Sequence, residues 1–157
     1  MDRNLPVKDI RMRETCFSDL EVPIRVRYCE TDKMGVVHHS NYIRYMEIAR
    51  MAWLEAIGCP FTQIERGETR LMITEISCTY RAPATFDDFL QVHTILEKWN
   101  KFRLSFLFLI KKEGRIIAKG GSSLAAVSIE GYPAPLPEIL LKRLSEIDVT
   151  SSQHEHH

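Results

Sequence analysis

Asp32, and the two histidines that follow it at His38 and His39, are the residues whose types and spacing can do chemistry in this chain. They sit in the stretch Tyr-Cys-Glu-Thr-Asp-Lys-Met-Gly-Val-Val-His-His-Ser-Asn-Tyr, residues 28 to 42. A single carboxylate follows a strand-like run and precedes a glycine turn. Ser40-Asn41 then reads as a cap opening a long helical pattern. The positive end of a helix can hold a developing anion. An acid beside it can attack a carbonyl or activate a water. The pair is therefore read as the core of a hydrolytic site acting on a carbonyl group. From spacing alone, Asp32 is equally a loop acid capping its own turn.

Other groups near this stretch invite other chemistry, and each has a plainer reading. His38 and His39 are adjacent in a loop, where neighbouring residues point in different directions, and no second ligand element of the HExxH kind exists. No metal is expected. Strand alternation puts Cys29 opposite Tyr28 and Glu30, as a small buried or half-buried side chain rather than a nucleophile. Glu47 has Arg44 and Arg50 three residues to either side, which favours an ion pair along the helix. His93 falls in a strand and reads as a satisfied structural histidine.

The elements that must position Asp32 are legible from period. Residues 22 to 30 alternate Ile24, Val26, Tyr28 against Arg25, Arg27, Cys29, a half-buried strand. From Ser40 to Ile57, Tyr42, Tyr45 or Met46, Ala49, Trp53 and Ala56 form an apolar stripe at helical spacing. The stripe is read mainly as core. Gly58 suits the position after a helix, and Pro60 forbids its continuation. Four strand-like stretches follow a polar link around residues 66 to 68: roughly 70–81, 89–98, 101–112 and 115–129. In the third, Phe102, Leu104, Phe106, Phe108 and Ile110 share a face. Their short links make successive strands antiparallel neighbours. A short helical pattern over 138–146 comes after a proline-rich stretch. The expected organisation is an N-terminal arm over 1–20, one domain over 21–147, and a disordered tail or tag remnant over 148–157. Strand, long apolar helix and four antiparallel strands imply an α+β fold, a five-stranded sheet curled round one helix. Such a sheet leaves edges open, and a homodimer would cover them.

Composition narrows the function classes. The chain has 157 residues, 21 basic and 21 acidic side chains, and zero formal charge. That balance gives no draw toward nucleic acid. No apolar run is long enough to span a membrane, and the N-terminus lacks a secretory h-region. The four cysteines, Cys16, Cys29, Cys59 and Cys78, form no Cys-x-x-Cys pair. Reduced thiols in a cytoplasmic protein are expected.

The residues resemble a known family. The order of elements, with Asp-x-x-Gly-Val-Val before the helix, is similar to the hotdog fold. It resembles the 4-hydroxybenzoyl-CoA thioesterase-like group, and within it the YbgC-like acyl-CoA thioesterases. The match runs through Arg25-Val26, Thr31-Asp32, Gly35-Val36-Val37, His39, Asn41-Tyr42, Glu47-x-Ala-Arg50 and Trp53-Leu54. It resumes at Tyr80-Arg81-Ala82-Pro83-Ala84-x-Phe86-Asp87-Asp88 and at Pro135-Leu136-Pro137. One departure is His38, where close relatives are expected to carry an aromatic such as Tyr. The resemblance implies acyl-CoA hydrolysis without a cofactor, in a homodimer or a homotetramer. Asp32 is then nucleophile or general base, and the His39 amide polarises the thioester carbonyl, with the His39 side chain as a further polar contact. Tyr28, Met34, Val37 and Tyr42 are the expected substrate contacts. Arg81, Lys98, Lys101 and Arg103 are candidate cations for the CoA phosphates. Two alternatives stay open: a non-catalytic module binding acyl-CoA or acyl-carrier protein, and a dehydratase using His39.

Overall fold

The computed structural model describes residues 19–154, with side chains over 19–147. The arm up to residue 18, Cys16 and the last three residues lie outside the described residues. Five strands form one sheet: β1 (Asp19–Arg25), β2 (Thr69–Tyr80), β3 (Phe89–Trp99), β4 (Arg103–Lys112) and β5 (Arg115–Ser128). Their order is β1-β3-β4-β5-β2, with every neighbouring pair antiparallel. The helix α1 (His39–Ala56) packs on one face of this sheet, α2 (Phe61–Arg66) follows it, and α3 (Glu138–His154) closes the chain. This is the hotdog arrangement, an α+β fold.

The alternation along β4 places Leu104, Phe106, Phe108 and Ile110 under α1, all buried. They meet the helix stripe of Tyr42, Tyr45, Met46, Ala49 and Trp53, and Trp53 stands edge-on to Phe106 with ring centroids 5.1 Å apart. Helix and sheet come close together at Gly120 of β5. A Cβ there would stand 2.5 Å from Met46 Sδ and 2.7 Å from the Ser77 carbonyl oxygen. The β4–β5 turn is a two-residue hairpin with φ of 50° at Glu113 and 78° at Gly114, the mirror-image turn that matches strand twist. Gly58 follows α1 with φ of 84°, the left-handed position that favours glycine.

Several expectations need correction. The first strand ends at Arg25, where its pairing with β3 stops, and Tyr28–Glu30 form a 3-10 turn instead. Alternation is lost there, so Tyr28 and Cys29 both face solvent and Glu30 is buried. Cys29 is thus exposed, not the buried or half-buried side chain expected. Phe102 lies in the β3–β4 turn and is exposed, outside the alternating face. The link after α1 holds α2, six residues anchored by buried Ile64, too short to show a period. The C-terminal helix passes the expected end at 146 and reaches His154, within the segment expected to be a tail.

Candidate active site

Asp32 and the start of α1 belong to one short hairpin. Thr31 pairs with Val37 in an antiparallel bridge, the Asp32 N–H donates to the Val36 carbonyl at 2.9 Å, and the His38 N–H donates to the Glu30 carbonyl at 2.9 Å. Gly35, with φ of 80°, makes the reversal. A second loop backs the first: the Val37 N–H donates to Ala84 O, and Val36 pairs with Thr85. Asp88 ties that second loop by accepting from the Thr85 amide at 2.8 Å and from Lys112 Nζ at 2.8 Å. Burial alone pushes the Asp88 carboxyl up, but these bonds outweigh it and hold the group below its ordinary range.

Glu30 is the hub that sequence reading missed. Its buried carboxylate accepts from the Arg27 N–H at 2.8 Å, from Arg27 Nε at 3.2 Å and from the Tyr45 hydroxyl at 3.1 Å. Its carbonyl also takes the Asn41 side-chain amide at 2.9 Å. Burial, then the adjacent Glu30 charge, drives the Tyr45 phenol pKa far upward, so that hydroxyl stays a donor. One acid therefore pins the 3-10 turn, the hairpin and α1 together. The only hint in the sequence is its place two residues before Asp32.

Two polar groups in this hairpin keep free bonding capacity. Asp32 is half-buried, and its Oδ1 accepts the Met34 N–H at 2.8 Å, so it does cap its own turn. Among the described residues, no donor reaches its Oδ2. The helix cap is His38, not Ser40-Asn41: His38 Nδ1 accepts from the Ser40 N–H at 3.3 Å. Ser40 and Asn41 are already inside the helix. The Asn41 N–H is taken by the His38 carbonyl at 2.9 Å. That leaves the His39 N–H, at the positive end of the helix, with no acceptor among the described residues. His39 lies three residues beyond Val36, whose carbonyl accepts from the Asp32 N–H in the hairpin.

The expected substrate contacts do not share one environment in the single chain. Tyr28 is 77% exposed and stands edge-on to Phe86, and Met34 is 85% exposed at the turn. Val37 and Tyr42 are buried in the core. A shallow cavity of about 200 Å³ is lined by residues such as Glu75, Ser105 and Ser123 of the sheet, and neither Asp32 nor His39 borders it. Of the four candidate cations, Arg81 directly follows β2 at the end nearest His39. Lys98, Lys101 and Arg103 lie around the β3–β4 turn, at the opposite end of the sheet. Glu47 makes no ion pair within the described residues. Arg50 instead turns under the sheet and donates to Ser122 Oγ at 3.2 Å. Burial pulls the Arg50 pKa down, and nearby Glu47 opposes that. His93 hydrogen-bonds Asp19 at 2.7 Å. Among the described residues, no cluster of His, Cys, Asp and Glu is placed to hold a metal ion.

Comparison with known proteins bears on this geometry. The sequence pattern of the thioesterase-like superfamily matches residues 26–144. The acyl-CoA thioesterase YbgC of Haemophilus influenzae is 27% identical over 110 residues, covering 68% of this chain and 79% of its own. A solved hypothetical protein from Thermus thermophilus is 36% identical, with a TM-score of 0.78, over 82% of this chain and 97% of that one. The DHNA-CoA thioesterase of Staphylococcus aureus superposes with a TM-score of 0.82 over 87% of this chain and 95% of that one; at 23% identity it speaks for the fold alone. The matched span takes in the Asp32 hairpin, the helix it opens and all of the sheet from β2 onward. The chain belongs to the thioesterase-like superfamily.

Proposed function

We propose that this thioester hydrolase cleaves acyl-CoA to a free carboxylic acid and CoA, with Asp32 as its reacting acid. One observation carries the reading. A carboxylate oxygen and a helix-end amide, both without a partner among the described residues, flank the same pinned hairpin. In the nucleophilic route, Asp32 attacks the carbonyl carbon, the C–S bond breaks, and CoA leaves as thiolate. Water then hydrolyses the mixed anhydride and restores the carboxylate. In the general-base route, Asp32 takes a proton from the water that attacks the carbonyl carbon, the C–S bond breaks, and the proton leaves with CoA as its thiol. Either way charge builds on the carbonyl oxygen. The His39 N–H meets it as a preorganised donor, worth about 3 kcal/mol in the transition state.

The proposal extends to assembly. Strand β1 is a short edge of seven residues carrying Pro23, a form that resists pairing. Strand β2 is twelve residues long, has no pairing partner on its outer side among the described residues, and shows Met72, Ile73 and Ile76 at 53%, 40% and 41% exposure. Its natural cover is β2 of a second copy, giving a homodimer, and two such dimers would make a homotetramer. Arg81, beside this edge, is the cation best placed for a CoA phosphate. No helix among the described residues is long and apolar enough to cross a membrane. A cytoplasmic setting agrees with Cys29, Cys59 and Cys78 being free thiols.

The test is thiol release from a panel of aliphatic and aromatic acyl-CoAs by protein whose mass in solution has been measured. Release above background is expected for at least one. Tight binding with no release from any would instead favour a ligand-binding module.

A further inference from the structure

The last residue of β2 touches the first residue of α1 in two ways. The Tyr80 hydroxyl donates to the His39 carbonyl oxygen at 2.9 Å. The Tyr80 ring also stands edge-on to the His39 ring at 6.4 Å and to the Tyr42 ring at 5.1 Å. That carbonyl already accepts from the helix ladder, so the phenol is a second donor on it. Helix termini fray, and the amide proposed to bind the oxyanion is the first of its helix. Apart from that ladder, the other described contact of residue 39 is a tilted one between the His38 and His39 rings, 4.1 Å between centroids, while the Glu30 network grips residues 38, 41 and 45.

We infer that Tyr80 is a positioning residue that fixes His39, and so aims its free N–H at the reacting carbonyl. The inference rests on the proposed role of the His39 amide. Tyr80 is well suited to hold this bond at any working pH. Burial, followed by a hydrogen bond with Cys78, pushes its phenol pKa up to about 12. Its strand is also the sheet edge open to a second copy, so pairing there would steady the residue that steadies the helix tip.

The experiment compares the wild type with Tyr80→Phe, which keeps the ring and removes the donor, and with Tyr80→Leu, which removes both. Steady-state hydrolysis is read beside ¹⁵N relaxation of the His39 amide. For Tyr80→Phe the expected result is a fall in kcat on the order of tenfold with KM little changed, because only alignment in the transition state is lost. The His39 order parameter should drop from about 0.85 toward the flexible range. Tyr80→Leu should lose at least as much. A purely structural tyrosine would lower the melting temperature and leave kcat and the order parameter unmoved, and that result overturns the inference. If the wild type hydrolyses no acyl-CoA, the proposed function fails by itself. Relaxation alone then decides whether Tyr80 fixes His39.

Discussion

Replacing Glu30 by Gln removes one charge from the hub of the site while keeping its shape. The consequence can be worked from its bonds. One carboxylate oxygen serves the Arg27 amide and the Tyr45 hydroxyl, and the other serves the Arg27 guanidinium. A glutamine must present an NH₂ group at one of these places, facing donors with a donor. Whichever way it turns, at least one charge-assisted bond is lost and at least one group is left facing the wrong partner. Hydrogen bonds to charged groups contribute ~1.5–3 kcal/mol, and stranding one partner of a buried pair costs ~3–5 kcal/mol. The Arg27 side chain is one-third exposed and keeps some water, so the lower part of that range applies, about 3 kcal/mol. For a chain of this size that is a fall in melting temperature of roughly 6–12 °C. Hydrolysis at a temperature where the variant is folded should also fall, by on the order of tenfold, as the Asp32 hairpin loosens against α1. Calorimetry and thiol release on the same preparation check both. A melting temperature within about 1 °C of wild type, with unchanged kcat, would refute the idea that Glu30 pins the site.

Two further outcomes are expected. Arg50 is a buried cation whose described hydrogen bond goes to a neutral serine, so Arg50→Met should leave stability unchanged or raise it by about 1 kcal/mol; denaturant unfolding showing a loss above ~2 kcal/mol would mean the guanidinium has a favourable role there. The depressed Asp88 carboxyl gives stability that is present above its unfolded value, near 3.8, and is lost as pH falls through the lower folded value. The gap in melting temperature between wild type and Asp88→Asn should therefore be full at neutral pH and close in acid; a gap that widens below pH 3.8 would reverse the assigned sign.

What the sequence made legible was whatever had a period. The β4 face from Leu104 to Ile110 and the α1 stripe follow from spacing, because burial on one side of a regular element repeats with that element. Asp32 and the helix end were legible because an acid, a glycine turn and a helix start stand within a dozen residues. The 3-10 turn was not legible. Tyr28 continues an apolar alternation that the backbone abandons after Arg25, and the cause is a bond from Glu30 back to Arg27, which leaves no pattern. The cap was misplaced for a related reason. Ser40 and Asn41 are the residue types that cap helices, yet the hairpin bond from His38 to Glu30 puts the cap at His38, two residues before Ser40. Tyr80 lies 41 residues from His39, and contacts at that range depend on the closed sheet rather than on any local signal.

The central claim is that Asp32 reacts and the hairpin presents it. The most direct measurement is kcat/KM of Asp32→Asn against wild type, on whichever acyl-CoA the wild type hydrolyses fastest. Asparagine still accepts the Met34 amide through its oxygen, so the turn is preserved. The expected result is a loss of ~10²–10⁴-fold with an unchanged melting temperature. An Asp32→Asn variant that releases CoA at the wild-type rate would contradict it.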